Sequence, residues 1–104
     1  MGQTGWRAPS EMRRVIVSPA AYADLTRLED WLIERAPNAA SRLGPLLRSQ
    51  MASLADLSER GRAGPRPGLR ELVVRFGKGA YFIHYRVDET QVTVARIKHN
   101  LERR

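Results

Sequence analysis

The stretch Leu69–His99, LRELVVRFGKGAYFIHYRVDETQVTVARIKH, decides how this chain folds. It divides into three strand-like runs, Leu69–Phe76, Ala80–Val87 and Gln91–Lys98, rich in Val, Ile, Tyr and Phe. The first link, Gly77-Lys78-Gly79, has glycines that admit the positive φ of a tight turn. The second, Asp88-Glu89-Thr90, is short and polar. Connections this short join only antiparallel neighbours, so the stretch predicts a three-stranded meander. In the middle run Tyr81, Ile83, Tyr85 and Val87 alternate with Phe82, His84 and Arg86. The strand period of two puts the first set on one face and the second on the other. The first face is apolar and needs a cover. The second carries an aromatic ring, an imidazole and a guanidinium, a mixture suited to recognition rather than to a core.

The residues before this stretch supply the cover. Arg13–Val17 reads as a short strand, followed by Ser18-Pro19. Ser18 can cap free N–H groups, and Pro19 suits the first helical position, where no donor is needed. The helix predicted from there runs Pro19–Arg35, with an apolar stripe of Tyr22, Leu25, Leu28 and Leu32 and with Ala21 beside it. Asp24, Arg27, Asp30 and Glu34 fall mostly off that stripe, and Trp31 borders it. Ala36-Pro37-Asn38 breaks the helix, with Asn38 as cap of a second one over Ala39–Arg60. Its stripe is Leu43, Leu47, Met51, Leu54 and Leu57, with Leu46 alongside. Pro45 predicts a kink or a later start, since an interior proline costs about 3 kcal/mol. Gly61–Gly68, with three glycines and two prolines, reads as an irregular loop. The order strand, helix, helix, strand, strand, strand defines an α+β fold. A two-helix hairpin covers one face of a curved, mostly antiparallel sheet. The first strand joins the sheet beside either the second or the last, and the sequence leaves both open.

At 104 residues the chain predicts one domain, Met12–Arg104, after a loose tail over Met1–Glu11. Met12 is an alternative start. The absence of cysteine excludes disulfides and thiolate metal sites and fits a reducing cytoplasm. No run approaches the roughly 20 apolar residues of a membrane span, so no membrane partner is expected. The net charge of +7 is unevenly spread. Residues 61–104 hold ten basic and four acidic side chains, whereas residues 19–60 hold five and six. The positive field therefore belongs to the strand half and favours an acidic partner.

Sites for chemistry are sparse. There is no phosphate-binding G-x-x-x-x-G-K-[ST], no H-E-x-x-H and no recognisable Ser-His-Asp set, so neither a metal nor a cofactor is expected. What remains is a basic cluster: Arg70, Arg75, Lys78, Arg86, Arg96, Lys98, Arg103 and Arg104, with His99. Arg96 and Lys98 share one face of the last strand.

Val15-Ile16-Val17-Ser18-Pro19-Ala20-Ala21, Gly68-Leu69-Arg70-Glu71-Leu72, Ile83-His84-Tyr85-Arg86-Val87 and Ala95-Arg96-Ile97-Lys98-His99 together resemble the ParE/RelE toxin superfamily of type II toxin–antitoxin systems. The resemblance runs from about Arg13 to Arg104 and implies a helix hairpin on a curved antiparallel sheet. It implies two branches of activity: ParE-like inhibition of DNA gyrase, which blocks replication, and RelE-like ribosome-dependent cleavage of mRNA. RelE-type nucleases carry an arginine where this chain has Phe82, and a second basic residue where it has His99-Asn100-Leu101. They also carry a C-terminal tyrosine, and this sequence reaches Arg104 without one. The ParE branch is therefore expected, as a non-enzymatic inhibitor. Its target-binding residues would be Arg70, Arg86, Arg96, Lys98, His99, Arg103 and Arg104. A nuclease would instead have to draw on Arg86, Arg96 and His99. Membership further implies a ParD-like antitoxin whose acidic C-terminal segment folds along the toxin in a small hetero-oligomer. Trp31, Phe82, His84 and Arg86 are the candidates to hold it. A carboxylate or imidazole dyad around a phosphate-sized gap would argue for the reactive alternative.

Overall fold

A computed structural model describes residues 12–100. The tail expected over residues 1–11 and the expected target-binding residues Arg103 and Arg104 lie outside the described residues. The element order is β1 (Arg14–Val17), α1 (Pro19–Arg35), α2 (Pro37–Ala52), a short 3-10 turn (Ser53–Ala55), β2 (Arg62–Ala63), β3 (Arg70–Phe76), β4 (Gly79–Val87) and β5 (Gln91–His99). The five strands form one sheet in the order β1-β5-β4-β3-β2. The meander pairs antiparallel as expected, and β1 lies parallel to β5, which resolves the open choice. The hairpin turn is Gly77-Lys78, closed by the Phe76–Gly79 pair, and only Gly77 uses a positive φ (+61°). Gly79 has another role. A Cβ there would stand 2.6 Å from Nε2 of His99, so the glycine makes room for that ring.

Ser18 caps α1, accepting from the Ala21 N–H at 3.1 Å while its own hydroxyl donates to Ala95 O. Helix and last strand are thereby tied together at the point where β1 ends. The inward face of α1 is Ala21, Asp24, Leu25 and Leu28. Tyr22, expected on the stripe, is instead 56% exposed, and Asp24, expected off it, is 3% exposed. The turn of the helix that brings Asp24 inward carries Tyr22 out.

The second helix begins at Pro37, two residues before the predicted start, with proline again in the first turn. No side chain caps it, so Asn38 does not serve as predicted. The helix passes through Pro45 and stops at Ala52, well short of Arg60. There the Ser53 hydroxyl donates to Gln50 O, and Arg60 reaches back to Ser53 Oγ and Gln50 Oε1. These local bonds compete with continuation of the helix. Leu57 consequently lies outside the stripe and is 54% exposed.

The loop predicted to be irregular contains β2. Tyr85 pins it: the buried phenol accepts from the Gly61 N–H and donates to Ser58 O, both at 2.9 Å. Leu25, Leu28, Leu43, Leu47, Met51 and Leu54 pack on Leu72, Val74, Tyr81, Ile83, Tyr85, Val92, Val94 and Ile97. The helix hairpin thus covers the Tyr81/Ile83/Tyr85 face, and among the described residues no helix covers the other face of the sheet. No helix among the described residues is long and apolar enough to cross a membrane.

One irregularity sets the site. Tyr85 pairs with Val94 and His84 with Arg96, so Ala95 is an extra residue in β5. Unbroken alternation from Val92 and Val94 would drive Arg96 and Lys98 into the core. The bulge changes the phase, so Ile97 and His99 are buried instead.

Candidate functional site

Across the open face the strand register aligns two rows. Arg62, Glu71, His84 and Arg96 lie side by side on β2, β3, β4 and β5, and Val73, Phe82 and Lys98 form the next row. These rows floor a hollow of about 420 Å³ bordered by Arg27, Glu71, Phe82, His84, Arg96, Lys98 and His99.

The first row holds one carboxylate, Glu71, between a guanidinium and an imidazole. Glu71 sits between Arg62, at 2.6 Å, and His84 Nε2, at 2.9 Å. Burial raises the Glu71 pKa, but the hydrogen bonds from His84 and Arg62 outweigh it, and the carboxyl titrates below its usual range. At the far end Arg96 turns to Asp24 of α1. The Asp24 carboxylate accepts from Arg96 Nε (2.8 Å) and Nη2 (3.0 Å), from Arg27 Nη2 (2.8 Å) and from the Ile97 N–H (2.8 Å). Burial again pushes the pKa up, but the bonds from Arg96, Ile97 and Arg27 bring it below the ordinary aspartate value. The Ile97 bond has a topological cause. β1 ends opposite Val94, so among the described residues β5 has no strand partner on this side beyond that point, and Asp24 satisfies the edge.

The structure gathers only part of the sequence-derived set. Phe82, His84, Arg96 and Lys98 line the hollow, and Arg86 occupies the same open face, paired with Thr93. His99 borders the hollow, but its ring is buried on the helix side. It stacks on Tyr81 at 4.4 Å with Trp31 at 5.8 Å. Trp31 is therefore on α1 at the end of that stack, with the Arg35 guanidinium 4.1 Å from its ring centre. Arg70 is also elsewhere. Its Nη2 donates to Glu59 O and Gly61 O, clamping the segment before β2. Of Arg86, Arg96 and His99, the last two border the hollow, and Arg86 is not among its lining residues.

Glu71, Arg27 and Asp24 were not singled out from the sequence. Glu71 had a signal, because it faces the same way as His84 once the hairpin register is fixed. Asp24 had none, since its role depends on where β1 ends. Among the described residues no three His, Asp or Glu side chains gather into a metal-sized group.

A family model described as ParE toxin of type II toxin-antitoxin system, parDE, matches residues 15–103. The chain belongs to the ParE toxin family. Among curated relatives, Toxin RelE1 of Caulobacter vibrioides is 48% identical over 90 residues, covering 86% of this chain and 96% of the relative. Toxin RelE3 of the same organism is 45% identical over 93 residues, covering 89% and 100%. A solved chain titled Chromosomal ParDE TA system from P. aeruginosa superposes with a TM-score of 0.73 at 22% identity, over 85% of this chain and 96% of that one. At that identity the likeness concerns the fold, and it agrees with the helix hairpin and five-stranded sheet of this ParE-family chain.

Proposed function

We propose that this ParE-family toxin disables DNA gyrase by docking, without catalysing a reaction of its own. The observation that carries this reading is the engagement of the hollow's polar groups with one another. His84 Nε2 is bonded to Glu71, Glu71 also to Arg62, and Arg96 to Asp24. Cleavage of RNA by its 2′-hydroxyl needs a base, an acid and a cation arranged about one phosphate. Of the three residues that a nuclease would draw on here, Arg86 is not among those lining the hollow, and Arg96 is bonded to Asp24. A preset, positively edged hollow with an aromatic floor suits recognition of a partner surface. The partner in the resting cell is an antitoxin with an acidic segment, in a cytoplasmic hetero-oligomer, and Phe82, His84 and Arg86 share the face that would receive it.

One observation favours a second reading, an RNA-cleaving toxin. Glu71 and His84 form a carboxylate–imidazole pair inside a hollow that Arg27, Arg96 and Lys98 also line. The curated relatives also carry the name RelE. Two assays on one preparation separate the readings. Inhibited supercoiling with accumulated cleaved DNA supports gyrase as target, and ribosome-dependent cutting of mRNA with gyrase unaffected replaces it.

A further inference from the structure

Strand parity and register fix which cations stand on the face of the sheet turned away from the helices. In β3 the core takes Leu72 and Val74, so Arg75 points the other way. Val15 and Val17 of β1 pack against the core, which leaves Arg14 on the far side. Arg86 follows the buried Tyr85, and the bulge at Ala95 puts Lys98 on the same side. Arg14, Arg75 and Arg86 are exposed and Lys98 is half-buried. Among the described residues none of these four has an ion pair. The carboxylates nearby are engaged. Glu71, the one acid among the strand residues of this face, is held by Arg62 and His84. Asp88, in the turn after β4, accepts from the N–H groups of Thr90 and Gln91.

The pairings also give the spacing, a row being two residues along a strand. Arg75 and Lys98 are two strands and one row apart, Lys98 and Arg86 one strand and two rows, Arg86 and Arg14 two strands and one row. With strands about 4.8 Å apart and a rise of about 3.3 Å per residue, each step is about 12–14 Å and the whole track about 30 Å. We propose that this track binds the phosphate backbones of duplex DNA without reading its sequence. A duplex carries one negative charge per about 1.7 Å of axis, so a track of about 30 Å meets phosphates wherever the duplex lies. Separate cations spread over a rigid sheet suit such a regular polyanion. A single strand is held instead on successive exposed rings where its bases stack. The strands of this face carry only the Phe82 ring and the His84 imidazole, which is bonded to Glu71. The inference deepens the docking reading and rests on it in one respect: the duplex is then the DNA that gyrase holds, so the toxin docks on protein and DNA together.

The test needs no gyrase. The full chain is titrated into a fluorescein-labelled mixed-sequence DNA duplex longer than the track, and anisotropy is followed over a range of KCl concentrations. Four phosphate contacts predict a slope of log K against log salt of about −3.6, or roughly a hundredfold loss of affinity for a fourfold rise in salt. Arg14→Gln, Arg75→Gln, Arg86→Gln and Lys98→Gln should each flatten that slope by about 1, equally for two unrelated sequences. Arg42→Gln removes one charge from the exposed side of α2 and should leave the slope unchanged. If one variant does not fold, the other three carry the test. A slope that Arg42→Gln flattens as much as the face variants do is a bulk-charge effect and overturns the inference, as does the absence of binding at low salt. Single-stranded RNA of equal length that binds as tightly as the duplex also overturns it, and makes a single strand the ligand. Poly-L-glutamate that competes as well, charge for charge, as unlabelled duplex overturns it in favour of an acidic protein segment. Duplex binding as described, with gyrase unaffected, sustains the track and removes gyrase as target. Gyrase inhibition by a chain that does not bind the duplex overturns the track and keeps gyrase.

Discussion

Replacing Asp24 with alanine should destabilise the fold by an amount that depends on pH. The substitution leaves the Ile97 N–H without its acceptor at a buried strand edge. An orphaned buried donor costs about 1–3 kcal/mol. The bonds to Arg96 and Arg27 add less, because both guanidiniums are about half exposed and solvent screens them. For such pairs about 0.2–1 kcal/mol each is the appropriate scale. The sum is about 1.5–5 kcal/mol at pH 7, which for a domain of this size lowers Tm by roughly 6–40 °C. The sign of the pH effect follows from the depressed carboxyl. A group whose folded pKa lies below its unfolded value, near 3.9 for aspartate, stabilises the fold above that value. That contribution is lost as pH falls through the folded pKa. Thermal melts of wild type and Asp24→Ala from pH 7 to pH 2.5 should therefore show the widest gap at neutral pH, narrowing below about pH 4. Glu71, whose carboxyl is also depressed, remains in the variant and keeps some acid sensitivity in both. Equal Tm values at pH 7 would refute the assignment of the Ile97 bond. A gap that stays constant into acid would refute the role given to the ionised carboxylate.

Two further substitutions probe how the sheet is held. Tyr85→Phe removes a buried hydroxyl bonded at 2.9 Å to both the Gly61 N–H and Ser58 O. It should cost about 2–4 kcal/mol and speed hydrogen exchange at Gly61 and Arg62, with exchange in the α1–α2 hairpin changing only by the global loss. Gly79→Ala places a methyl group 2.6 Å from His99 Nε2. Displacing that ring from Tyr81 should cost about 1–3 kcal/mol and shift the Trp31 fluorescence, and an unchanged melt and spectrum would remove the stacking argument.

The meander was legible because strand alternation is a local signal: Tyr81, Ile83 and Tyr85 name their own face. The Ser18-Pro19 start of α1 was legible for the same reason, since cap and proline act within one turn. The end of α2 was not, because Leu54 and Leu57 continue a helical period that the bonds of Ser53 and Arg60 interrupt. The bulge at Ala95 left a trace that can be read in retrospect. Straight alternation would bury two cations beside Val92 and Val94, and only an inserted residue avoids that. Asp24 was illegible because its partner is a bare strand edge created by the length of β1. The site was therefore half visible. Phe82, His84 and Arg86 could be named from parity, Arg96 and Lys98 face outward only through the bulge, and the acids that hold them could not be named.

The most direct test of the docking account is the paired assay on one preparation: gyrase supercoiling with cleaved-DNA detection, and mRNA cleavage on programmed ribosomes. The variants are Lys98→Glu, in the hollow, and His99→Ala, in the aromatic stack. The account predicts that the wild type inhibits gyrase and leaves mRNA intact, that Lys98→Glu loses inhibition, and that folded His99→Ala keeps it. Cut mRNA with unaffected gyrase, above all if His99→Ala abolishes the cutting, would contradict it.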